Sequence, residues 1–117
     1  MEAHYPFKIY TSGNGNPIIM AEIEGNELYP IYNEFFEERG YSGNGYCWEG
    51  HIVQILEQLD PDLLDHIEFD PEAGAFYAIA DSEASRKRFV NLISPIFSDL
   101  ANLATYVAAA DRNRIDD

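Results

Sequence analysis

Cys47 and His51 are four residues apart, so a helix through both would set a thiol beside an imidazole. A nucleophilic cysteine needs such a base. Cys47, however, sits between Tyr46 and Trp48, and a lone cysteine in aromatic surroundings reads better as a small buried hydrophobe. The other candidates fail on spacing. Gly40-Tyr41-Ser42-Gly43-Asn44 is not the G-x-S-x-G of a serine elbow. His4, His51 and His66 are scattered, without an H-x-x-x-H pair or a second cysteine, so no metal centre is expected. Asp60, Asp62 and Asp65 lack the central glycine and closing glutamate of a calcium loop. Gly13-Asn14-Gly15 and Gly43-Asn44-Gly45 lack the lysine of a phosphate loop and the spacing of a dinucleotide fingerprint. The chain has 21 carboxylates, and the sequence selects no pair of them as general acid and base. No catalytic residue, cofactor or metal is assigned. Binding is the expected role, and a small hydrolase using Cys47 or a carboxylate pair is the lesser reading.

Carboxylates dominate the charge. With 7 basic residues, the net charge is −14 at pH 7. Up to Ser85, 17 carboxylates face only Lys8 and Arg39, a net −15, whereas the remainder carries +1. Such a field either keeps the protein dispersed or steers it to a basic partner. It argues against nucleic acid or an anionic membrane as partner, because phosphate needs clustered Lys and Arg. Cys47 is the single cysteine, Met1 to Ile9 has neither the basic start nor the apolar run of a leader, and no stretch reaches membrane-spanning length. A reducing cytoplasm is the expected address.

The elements that must position these groups follow from pattern. Tyr5 to Tyr10 and Pro17 to Ile23 read as strands around a Gly/Asn turn, a hairpin. Leu28, Ile31, Tyr32, Phe35 and Phe36 form one helical stripe, with Pro30 in the first turn and Gly40 as the stop. Trp48, Ile52, Ile55, Leu56 and Leu59 make a second stripe, broken at Asp60-Pro61. Ile67 to Asp70 and Ala75 to Ala80 read as a second hairpin about Pro71 to Gly74. Asp81 or Ser82 caps a last helix that Pro95 should kink or divide, and Asp111 to Asp117 reads as a frayed tail. The order β-β-α-α-β-β-α predicts one α+β domain over residues 1–117, an antiparallel sheet packed against helices.

Candidate contact residues lie on these elements. Glu34, Glu37 and Glu38 occupy the polar face of the first helix, as a solvated face or an interface. Tyr41 and Tyr46, among glycines, are either exposed anchors or packed against the fold. Trp48 opens an apolar stripe and reads as core. Asn44 suits a left-handed turn, Glu49 the start of the second helix, and Asp70 and Glu72 the hairpin turn, where Asp70 reads mainly as structural.

Two blocks stand out. Residues 38–50 read ERGYSGNGYCWEG and residues 67–78 read IEFDPEAGAFYA. A GY-x-GNGY-x-WE block, a helix, and then an FDPEAG-x-F-x-A hairpin resemble the immunity protein 51 family of bacterial polymorphic toxin systems. The resemblance covers the central third of the chain; the N-terminal hairpin and the last helix carry no matching motif. It implies a small α+β immunity protein, cytoplasmic and cofactor-free, that binds and neutralises a cognate toxin domain. The resemblance does not fix the toxin's activity; together with the acidic charge, the expected partner is a basic, nuclease-like toxin met by an acidic surface beside residues 40–50, with Glu34, Glu37, Glu38, Tyr41, Asn44, Tyr46, Glu49, Asp70 and Glu72 as contact residues. The alternative is an acidic adaptor, or a nucleic-acid mimic that inhibits other basic proteins.

Overall fold

The computed structural model of the chain describes residues 4–116. Strand β1 (Lys8–Thr11) pairs with β2 (Pro17–Ala21), and β3 (Ile67–Phe69) pairs with β4 (Phe76–Ala80). β2 and β4 join the two hairpins, so the antiparallel order is β1-β2-β4-β3. Both hairpins predicted from turn residues are present, and the class is α+β. Alternation sends Ile19 and Ala21 of β2, and Phe76, Ala78 and Ala80 of β4, into the core.

The first helix differs from its prediction. A π-helical turn, Tyr29–Asn33, runs into α1 (Glu34–Glu37). Leu28, Tyr32, Phe35 and Phe36 are buried, but Ile31 is 41% exposed. A π turn holds more residues per turn than the 3.6 that the stripe assumes, so one member rotates off the core face. α2 (Gly45–Leu59) places Trp48, Ile52, Ile55 and Leu56 inside; Leu59, at its end, is 41% exposed. A 3-10 segment, Pro61–His66, leads back to the sheet.

Phe7, just before β1, is the hub of the core. Its ring lies 5.7–6.0 Å from Trp48, Phe76, Phe89 and Phe97, in edge-on or tilted contacts. Burying each such ring contributes about 1.5–3 kcal/mol.

The last helix is divided, as Pro95 predicts. α3 (Glu83–Phe97) carries Pro95 in its final turn, and α4 (Leu100–Ala109) leaves at 98°. Ser82, not Asp81, caps α3 by accepting from the Ser85 amide. Asp99 caps α4, accepting from the Ala101 and Asn102 amides. Tyr32 donates its hydroxyl to the Phe97 carbonyl at 2.5 Å, taking up one free carbonyl where α3 stops. Burial pushes the Tyr32 hydroxyl pKa far up, so it stays a donor. Among the described residues no single helix is long and apolar enough to cross a membrane.

The frayed tail is corrected. Arg112–Arg114 forms a 3-10 turn that Asp111 caps, and Ile115 is buried. Asp117 lies outside the described residues.

Candidate functional site

The segment between α1 and α2 is built residue by residue. Gly40 has φ +85°, and its amide donates to the Glu37 carbonyl while the Tyr41 amide reaches back to Phe36. This pair of bonds closes a helix end through a left-handed residue, which glycine adopts without strain. Gly43 then packs on Asn33 and Phe36 of the first helix. Asn44 does not take the left-handed turn expected of it. Its φ is −76°, and its Oδ1 accepts from the Cys47 amide at 2.9 Å, so it is the N-cap of α2.

The two sequence blocks meet here. A Cβ on Gly45 would overlap the carbonyl oxygens of Glu72 and Ala75, and the Gly45 amide donates to the Ala73 carbonyl at 3.2 Å. The start of α2 therefore rests on the main chain of the β3–β4 turn. That turn is closed by main-chain bonds from Asp70 to Tyr77 and between Glu72 and Ala75. On the other side, Gly50 packs against Ile115 of the C-terminal segment.

Tyr41 is corrected as an exposed anchor. It is only 6% exposed. Arg112 lies over its ring at 4.1 Å and donates to the Arg39 and Gly40 carbonyls at 2.7 and 3.1 Å. The His51 ring meets Tyr41 edge-on at 4.7 Å and stacks on Phe36 at 5.4 Å. Trp48 is fully buried. Cys47 and His51 share α2 but lie inside the core, closed to substrate.

What remains outward is acidic, with one aromatic. Tyr46, in the first turn of α2, is 38% exposed. Glu34, Glu37, Glu38, Asp70 and Glu72 are exposed, and Glu49 is half-buried. Through the Gly43 and Gly45 contacts, the main chains of α1, the loop, the start of α2 and the β3–β4 turn lie against one another. Among the described residues Glu34, Glu37, Glu49, Asp70 and Glu72 make no ion pair. Glu57, Asp60 and Glu83, by contrast, are held by Arg114, Arg88 and Arg86. Glu38 has only its neighbour Arg39, at 3.8 Å, and that guanidinium already covers the Phe35 ring and donates to the Phe35 carbonyl. Burial, and then the charge of Asp116, push the Glu49 carboxyl pKa up. Beside α1 a groove of about 490 Å³ opens toward α4, floored by Ile31, Leu100 and Ala104 and edged by Glu34 and Glu38.

One cluster is not legible in the sequence. His66 Nδ1 lies 2.6 Å from Asp81 Oδ2, and Ser85 Oγ donates to Asp81 Oδ1 at 2.6 Å. Only the aspartate's position before α3 hinted at it. Serine and histidine both bind the carboxylate, which stands between them, so the hydroxyl is not presented to the imidazole as a nucleophile to its base. The cluster ties the 3-10 segment to the start of α3. Among the described residues no three His, Cys, Asp or Glu side chains converge as a metal site would need.

Comparison with known proteins agrees with the two blocks and extends beyond them. No curated protein and no solved structure matches the chain at a significant level. The family model described as Immunity protein 51 matches residues 24–112, from the end of the first hairpin to the arginine that covers Tyr41. By that match, over most of its length, the chain belongs to the immunity protein 51 family.

Proposed function

We propose that the chain is an immunity protein that binds and neutralises a cognate bacterial toxin domain, and that the toxin is basic and nuclease-like. The family match over residues 24–112 carries this reading. The carboxylates without a cation support a basic partner. Nucleases hold phosphate in basic clefts, and an inhibitor can fill such a cleft with carboxylates whose charge its own fold has not neutralised. Glu34, Glu37, Glu38, Glu49 and Glu72 supply that charge, and Asp70 adds to it at the hairpin end. Tyr46 supplies an exposed aromatic contact in the first turn of α2. Tyr41 and Asn44 act from beneath, by fixing the loop. Inhibition is by occupation of the toxin's cleft in the cytoplasm, with no cofactor.

Co-expression with the toxin domain encoded beside this chain's gene tests the reading. The wild-type chain should restore growth, and the purified pair should bind less tightly as salt rises. The triple variant Glu34→Lys/Glu37→Lys/Glu49→Lys should keep its fold and lose rescue. Absence of both rescue and a low-salt complex for the wild-type chain would sink the proposal.

A further inference from the structure

The helices cover one face of the sheet. The opposite face carries Tyr10, Ile18, Met20, Tyr77 and Ile79, and none of these joins the core cluster. Strand register sets them in two rows. Tyr10, Ile18, Ile79 and Glu68 are successive partners across all four strands, and Lys8, Met20, Tyr77 and Asp70 are the next. The Tyr10 and Tyr77 hydroxyls link the rows at 3.3 Å. A sheet face that meets only water alternates to polar residues. Here the centre holds two tyrosines, Ile79 and Met20 over Ile18, which is buried beneath them at 1% exposure; Tyr10 is 41% exposed and Met20, Tyr77 and Ile79 partly so. An exposed apolar patch rimmed by charge has the composition of a protein interface, in which tyrosine and methionine are enriched.

The rim decides what fits. On the β1 side Lys8 is matched by Glu22 at 3.4 Å. On the β3 side Glu68 and Asp70 are exposed and, among the described residues, make no ion pair. A groove of about 390 Å³ continues from Ile79 between Asp65, Glu68 and Asp81, with His66 as its basic side chain. A second copy of the chain would bring −14 against −14. A cationic surface is drawn in instead.

We infer that this outer sheet face is a docking surface for a cationic protein domain, which seats apolar side chains over Tyr10 and Tyr77 and basic ones against Glu68 and Asp70. The inference rests on the reading above that the partner is a basic toxin, and it adds a surface distinct from α1 and the loop.

Calorimetry at low salt, with the full chain and the toxin domain encoded beside it, tests this. Tyr10→Ser/Tyr77→Ser and, separately, Glu68→Lys should each weaken binding by about tenfold or more. Far-UV circular dichroism should show both variants folded. If the double variant unfolds, Glu68→Lys decides, together with slowed amide exchange at residues 8–20 and 67–79 in the wild-type complex. Wild-type affinity in the folded variants would overturn the inference and leave the proposed function standing. Failure of the wild-type chain to bind would remove both. A wild-type dimer that becomes monomeric in Glu68→Lys would assign the face to a second copy and overturn the inference as well.

Discussion

Glu49 is a carboxylate kept where its charge is disfavoured. Its folded pKa lies above the ordinary value, through burial first and Asp116 second. A raised carboxyl pKa means that ionisation opposes folding once the pH exceeds the ordinary value. Glu49 is only half-buried, and solvent screens it, so the effect is small. Glu49→Gln should therefore raise Tm at pH 7 by about one or two degrees while weakening the toxin complex. Calorimetry at pH 7 and at pH 3 checks it, because the gain should vanish once Glu49 is protonated in both states. At this scale the sequence was partly legible. The acidic face of α1 is outward because its spacing opposes the apolar stripe. Tyr41 was not legible, since Arg112, which covers it, arrives from more than seventy residues along the chain. Asn44 was recognised as a turn former, yet its side chain serves a helix start, a choice that local composition leaves open.

The start of α2 depends on an absent side chain. Gly45→Ala would press a methyl group into the Glu72 and Ala75 carbonyls. Main chain cannot give way as a flexible side chain can, so the cost should reach about 3 kcal/mol or more. Gly13→Ala, at a turn with open space around it, should change stability by less than about 1 kcal/mol. Urea unfolding of the pair measures the contrast; equal midpoints would show that α2 does not rest on the hairpin turn. Elements were the most readable level of this protein. Both hairpins follow from turn residues between short apolar runs, α2 from its stripe, and the division of the last helix from Pro95. The π turn was hidden because the stripe at Leu28 to Phe36 fits an α-helix just as well. The docking of one block on the other was hidden because glycine advertises turns and close contacts alike.

Across the whole molecule, the His66–Asp81 clamp sets a pH window. Asp81, by hydrogen bond and then by charge, holds the His66 pKa above its ordinary value. Ser85 first, and then His66, hold Asp81 below its own. A raised histidine stabilises fully below its unfolded value of about 6.5, and that contribution is lost as pH climbs through the folded value. A lowered aspartate stabilises above about 3.9, and its contribution is lost as pH falls through the folded value. The stability gap between wild type and His66→Gln should thus be widest near pH 5.5 and narrow by pH 9. Denaturant midpoints at those two values decide it, and a constant gap would mean that the clamp does not titrate. The net charge predicts none of this, because it counts carboxylates without saying which are paired. It points only to the sign of a partner; among the described residues carboxylates without an ion pair stand on α1, α2 and the hairpin turn, and also on β3 and the chain before and after the helices.

The rest of α2 on a turn's main chain also bears on how such a sequence can drift. Where two side chains touch, a change in one can be repaired by a change in the other, and descendants record the repair as paired substitutions. Carbonyl oxygens belong to every residue type, so no replacement at Glu72 or Ala75 can make room for a larger residue at Gly45. Position 45 should therefore stay fixed in descent without a covarying partner, and a search for coupled columns would overlook the contact that joins the two blocks.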